Sequence, residues 1–242
     1  MRIGLYGMPT AGKTYILEKV DSIEVMAGSV LLREICPSFD LEDDYGKNMA
    51  REELAKRLLC VDSFIMDGHY AFGDKVAFTD MDGQLYDVIL YLYISPDVLI
   101  KRMRESYKNK KYLSYDIEKW QINEIERLRD YCHKNNKDFY VIDNPKDNFF
   151  TDVTEVVKFI NAIVNGFSCK RFAADCAEKI LNCTDSEEIT LLDGDKTITK
   201  EDSSHAVFGY TTHIYDGNFY TGFQSWRQAC LLYTSPSPRD RQ

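Results

Sequence analysis

Gly7-Met8-Pro9-Thr10-Ala11-Gly12-Lys13-Thr14 is the stretch on which the reading of this chain turns. Its glycines let the backbone bend so that successive amide N–H groups converge, forming a nest for phosphate oxygens where a helix begins. A lysine at the position of Lys13 reaches the outer phosphates, and the hydroxyl of Thr14 suits Mg²⁺. The context supports the pattern. Arg2 to Tyr6 reads as a short buried strand, and Lys13 to Val20 as the helix that follows. Gly7, Thr10, Ala11, Gly12, Lys13, Thr14 and Tyr15 are therefore the candidate contacts to ATP, with Thr14 also a candidate metal ligand.

Outward from this stretch, strand and helix signals alternate through residue 165, which implies a parallel sheet covered by helices. Glu24 to Ala27 suits a second strand, Asn48 to Leu59 a charged amphipathic helix, and Ser63 to Asp67 a strand ending in a carboxylate. Asp87 to Ile94 is a nearly continuous apolar run, as expected of a strand buried on both faces. Ser95-Pro96-Asp97 then starts a helix that runs to about Ser106, with a cap residue, a first-turn proline and an early acid. Ile117, Trp120, Glu124, Ile125, Leu128, Tyr131 and Cys132 mark a long helix with one apolar face. Asp138 to Ile142 reads as another strand. Phe149, Val153, Val156, Val157, Ile160 and Ile163 then close a first domain, residues 1–166.

The pattern restarts near Gly166-Phe167-Ser168. Residues 171–183 read as a helix with Phe172, Cys176, Ala177, Ile180 and Leu181 on a buried stripe, and Ile189 to Leu192 as a strand. The formal net charge of -9 disfavours extended nucleic acid, which requires a basic surface. No apolar stretch approaches the ~20 residues of a membrane span, and the N-terminus runs straight into the first strand without a signal peptide. The seven cysteines form no CxxC pair and read as reduced thiols, mostly core fillers, in a cytoplasmic protein.

Asp67 ends an apolar strand, where an acid needs a cation or a hydrogen-bond donor. Metal ligand and base toward an acceptor both suit it. The basic run Lys101, Arg102, Arg104, Lys108, Lys110 and Lys111 follows the strand at 87–94 and suits phosphoryl transfer, which needs cations around the migrating group. Taken together, these residues resemble the adenylate-kinase-like branch of the P-loop kinases, over residues 1–165. The resemblance implies a three-layer α/β/α fold with a parallel sheet. Gly28-Ser29-Val30-Leu31-Leu32-Arg33-Glu34 resembles the acceptor-binding stretch of that branch, and Asp67-Gly68-His69-Tyr70 its carboxylate turn. It also implies that Arg33 contacts the acceptor, with His69 a second candidate, and that Arg102 or Arg104 sits over the donor phosphates. Departures are an extra residue before Arg33, no arginine after His69-Tyr70, and a short lid. These leave the acceptor open.

Leu191-Leu192-Asp193-Gly194-Asp195-Lys196-Thr197 resembles the first motif, hhDxDxT, of the haloacid-dehalogenase-like phosphatases. The resemblance implies that Asp193 is the nucleophile and Asp195 the proton donor, both beside Mg²⁺. That family also needs a hydroxyl, a lysine and an acidic pair on later strands, for which the roughly thirty residues after Thr197 leave no room, so residues 167–229 are read as a truncated α/β fragment of such a domain. Residues 230–242 resemble a translated sequencing adapter. The whole reads as an ATP-dependent kinase of a nucleotide or small metabolite. The alternatives are a nucleotide-dependent switch ATPase and an end-processing enzyme like the polynucleotide kinase-phosphatases. Oligomeric state stays open.

Overall fold

The computed structural model describes residues 1–144, 147, 149–186, 188–190, 192, 198 and 213–215. The sheet order is β2 (Val25–Met26), β3 (Phe64–Asp67), β1 (Arg2–Tyr6), β6 (Val88–Leu92), β7 (Asp138–Asp143) and β8 (His213–Tyr215). The first five run parallel; β8 pairs antiparallel with β7 at the edge. Leu5 lies opposite Asp67 in the β1–β3 register and opposite Leu90 in the β1–β6 register. The C-terminal ends of β1 and β3 therefore emerge side by side, and this places the loops that follow them in contact.

Alternation along the strands builds two cores. Ile3, Leu5, Ile65, Val88, Leu90, Leu92, Tyr140 and Ile142 point to one face, packed by α1 (Lys13–Leu17), α5 (Pro96–Glu105) and α7 (Thr154–Val164). Tyr6, Phe64, Met66, Ile89, Tyr91, Phe139 and Val141 point to the other, packed by α3 (Asp44–Leu58), α4 (Asp80–Leu85) and most of α6 (Ile117–Lys134). All five residues of β6 are buried, which fits a central strand covered on both sides. The result is a three-layer α/β/α domain.

Several elements differ from their expected extents for local reasons. Helix α1 ends at Leu17, where Lys19 and Val20 donate to carbonyls only three residues back and tighten the last turn. Helix α3 starts earlier, because Asp43 caps it by accepting from the Gly46 amide at 2.8 Å. Ser95 makes no side-chain cap; its backbone carbonyl alone receives the Val98 and Leu99 amides. Acceptor-segment residues form helix α2 (Gly28–Ile35). The hairpin of β4 (Ala71–Phe72) and β5 (Lys75–Val76) is too short to show a period, and it turns at Gly73 with φ +67°. Helix α4 follows it, opened by a capping box between Thr79 and Asp82.

Three expectations fail. Helix α8 (Cys169–Leu181) buries no residue, and its apolar stripe is open, with Leu181 64% exposed. Amphipathic spacing alone does not supply a covering partner. Of the described cysteines only Cys132 is buried, so core filling does not account for the set. Ile189 and Thr190 lie in no strand. Among the described residues no helix is long and apolar enough to cross a membrane.

Candidate active site

The loop after β1 folds as its glycines allow. Gly7 has φ +152° and its missing Cβ would stand 2.9 Å from the Leu92 carbonyl oxygen, so a side chain there is excluded. Gly12 has φ +100° and opens α1. Between them Thr10 adopts φ +67°, and its hydroxyl is buried with no hydrogen-bond partner. An orphaned buried hydroxyl costs about 1–3 kcal/mol, and here it lies inside a loop whose amides suit an anion. The loop fits phosphate.

Lys13 is only 5% exposed. Its ammonium donates to the carbonyls of Gly7 at 2.6 Å and Met8 at 3.2 Å, and its third neighbour is Nδ1 of His69 at 3.5 Å. Burial lowers its pKa to about 8, against which the carboxylates of Asp67 and Glu124 hold the charge. His69 is kept well below its usual pKa, first by burial and then by the charge of Lys13, so its imidazole is neutral. Facing an ammonium, Nδ1 presents its lone pair, which assigns the proton to Nε2. His69 thus meets the loop at Lys13, and the Asp67 carboxylate acts on the same ammonium through its charge. Thr14 is exposed at the same loop.

A cavity of about 490 Å³ opens at the loop, lined by Thr10, Gly12, Tyr15, Arg102, Phe149 and Thr151. Arg102 is not poised over a phosphate. One guanidinium nitrogen donates to the Thr10 and Ala11 carbonyls at 3.2 and 3.0 Å, the other to the Phe149 carbonyl at 2.7 Å. Its fork ties the phosphate loop to the segment after β7. That segment is braced by Asp147, whose carboxylate accepts from the amides of Thr151 and Asp152. Arg104 is exposed and lines no cavity at the loop. At ~100° per residue, two helical positions apart cannot share a face, so only one of the pair reaches the loop.

A second cavity, of about 440 Å³, has Gly28, Arg33, Asp67, His69, Phe72 and Lys108 as part of its wall. Gly28 lets α2 approach closely, since a Cβ there would stand 3.1 Å from the Asp67 carbonyl oxygen. Arg33 reaches this wall while paired with Asp40 at 3.0 Å, and that bond holds the Asp40 carboxyl below its ordinary pKa. Lys111 lines an adjoining cleft of about 800 Å³, and Lys101 lies 5.3 Å from the ring centre of Phe149. Tyr70 and Phe78 stack at 5.6 Å in the core rather than lining this cavity.

Sequence reasoning placed Glu124 on an apolar helix face and saw no role for it. It is 1% exposed and accepts three hydrogen bonds: from the Ala71 amide at 3.1 Å, the Trp120 indole at 2.9 Å and the Tyr91 hydroxyl at 2.7 Å. The available signal was an acid among buried helical positions, one turn after a tryptophan. Gln121 is similarly buried and bonds both the amide and the carbonyl of Ile94.

For a metal, the loop offers the Thr14 hydroxyl and the Asp67 carboxylate. No group of three His, Cys, Asp or Glu side chains among the described residues could hold an ion alone. Such a donor set fits Mg²⁺, which keeps waters and takes phosphate oxygens beside one or two carboxylates. Asp193 and Asp195, with the rest of the motif through Thr197, lie outside the described residues.

No protein-family model matches the chain, and no curated protein does. Among solved structures, it is similar to a shikimate kinase from Bacteroides thetaiotaomicron: TM-score 0.45, 14% identity, covering 68% of this chain and 98% of that one. A shikimate kinase from Acinetobacter baumannii in complex with shikimate gives 0.46 and 14%, over 69% of this chain and 95% of that one. One from Aquifex aeolicus gives 0.41 and 18%, over 69% and 97%.

Proposed function

We propose that this chain is a P-loop kinase, transferring a phosphoryl group from ATP to a small metabolite or nucleotide. One observation carries the reading: the buried ammonium of Lys13 lies against the Gly7 and Met8 carbonyls and against His69, where Thr10, Ala11 and Gly12 line one cavity and His69 and Asp67 line another. A donor in the first and an acceptor in the second would both lie near this ammonium. The parallel sheet supports this, since loops at the C-terminal ends of its strands form the site.

Bound Mg-ATP would supply the phosphoryl group, with the metal offsetting its charge. The chain's own residues do the rest. The amides of 7–13 hold phosphate oxygens, and the Thr10 hydroxyl gains the partner it lacks. Lys13 exchanges carbonyl acceptors for phosphate. Arg102 fixes the loop from the wall of the donor cavity. Asp67, with the neutral His69 beside it, faces the acceptor cavity, where a carboxylate can orient or deprotonate a hydroxyl, or hold the metal. Arg33 and Lys108 supply positive charge on the acceptor wall.

The test is ADP formation by the full chain from Mg-ATP, alone and with nucleoside monophosphates, nucleosides, small polyol acids including shikimate, and oligonucleotide ends. Lys13→Met serves as control. Stimulation by one acceptor class, lost in the variant, is the expected result. Slow acceptor-independent hydrolysis would instead indicate a switch ATPase, and absence of nucleotide binding would sink the reading. For residues 167–229 the motif at 191–197 supports a phosphatase-like segment with Asp193 as nucleophile. That role predicts hydrolysis of p-nitrophenyl phosphate that is abolished by Asp193→Asn; turnover unaffected by the substitution would contradict it.

A further inference from the structure

Residues 67–71 are pinned at both ends, and between them the Tyr70 carbonyl accepts from the Ala77 and Phe78 amides at 2.7 and 3.0 Å. At one end the Gly68 amide donates to the Leu5 carbonyl of β1 at 2.9 Å. At the other, the Ala71 amide donates to Oε1 of Glu124 at 3.1 Å. Between the pins stand Gly68, His69 and Tyr70, with Asp67 just ahead of them and His69 against Lys13. The first pin comes with the sheet. The second is a single buried side chain reaching from α6, over fifty residues away in sequence.

Glu124 is an unusual choice for a purely structural post. None of its three donors is a cation, and burial raises its pKa. A buried carboxylate without an ion pair is costly to keep. Two of its bonds, to Tyr91 and Trp120, only anchor it. The third alone reaches the turn that carries the site.

We infer, on the basis of the kinase reading above, that Glu124 is a positioning residue: by holding the Ala71 amide it sets Asp67 and His69 against Lys13. It touches neither substrate. Its replacement loosens the far end of the turn and removes a carboxylate that supports the charge of Lys13, while Arg102 and the donor cavity stay as they are. Glutamine keeps an oxygen for the Ala71 and Trp120 donors and turns its amide toward the Tyr91 oxygen, so it preserves the pin without the charge.

The experiment compares Glu124→Ala, Glu124→Gln and Tyr91→Phe in the full chain, by amide hydrogen exchange over residues 66–74 and by steady-state Mg-ATP turnover. Glu124→Ala is expected to raise exchange and lower kcat by about tenfold each, with the KM for ATP changed less than about twofold. Glu124→Gln should restore both. Tyr91→Phe, which removes an anchor but not the pin, should lower Tm and alter neither. If Glu124→Ala does not fold, Glu124→Asp, one methylene shorter, makes the same comparison. Unchanged exchange in Glu124→Ala overturns the inference, as does a Tyr91→Phe variant that matches it in both readouts. Wild-type protein without turnover refutes the kinase reading instead, and the exchange comparison then decides the role of Glu124 by itself.

Discussion

At the scale of single residues, Lys13 shows how a functional group is held at the expense of its own comfort. Desolvation lowers its pKa to about 8, while two backbone carbonyls and His69 surround it. Lys13→Met removes a buried charge together with its hydrogen bonds, and these losses oppose each other. The expected outcome is a stability change within about 1 kcal/mol by chemical denaturation, alongside loss of nucleotide binding by at least about 100-fold in calorimetry. A change of several kcal/mol would mean that the lysine is chiefly structural. Its place on the loop was legible from the sequence, because spacing and type define the motif; its burial and its backbone partners were not. Thr10 was legible as a loop member, though its unpartnered hydroxyl was not, since hydrogen-bond satisfaction is a property of surroundings.

At the scale of elements, α5 illustrates what a charge run conceals. Arg102 and Arg104 are alike on paper, yet one grips three backbone carbonyls and the other faces water. Arg102→Met is expected to raise the KM for ATP about tenfold and to lower stability by about 1–2 kcal/mol; Arg104→Met should do neither. Equal effects in titration and thermal melts would contradict the assignment. Sequence reading saw cations suited to phosphate, but the carbonyls that Arg102 holds lie more than forty residues away on either side. The hairpin at 71–76 escaped for a different reason: two-residue strands carry no period. Its neighbour α4 did leave a mark, in Thr79 and Asp82 three residues apart, that a search for capping boxes would have met.

At the scale of the whole molecule, the sheet was the most readable feature, since apolar runs such as Val88–Leu92 admit few other fates. The helix at 169–181 was readable as an element and misread as buried, because spacing reports a face and not what covers it. Global stability should carry a pH signature from the end of one strand of this sheet. Asp143, closing β7, has its pKa raised to about 6, chiefly by burial. A raised acid favours the fold only while protonated: the contribution is complete below about pH 4 and is lost as pH climbs through 6. Asp143→Asn should therefore stabilise the protein by about 1–2 kcal/mol at pH 8 and by almost nothing at pH 4, in denaturation series at the two pH values. A pH-independent difference would rule this out.

The resting place of Lys13 has one more consequence. On the kinase reading proposed above, the carbonyl oxygens of Gly7 and Met8 occupy the ammonium much as phosphate oxygens would, and so compete with the ligand from within the chain. Incoming nucleotide would trade places with the loop, and on its departure the loop would close the trade. Affinity would thereby be tempered and release made easier, as suits a catalyst that must let product go each cycle more than a receptor built to retain its ligand.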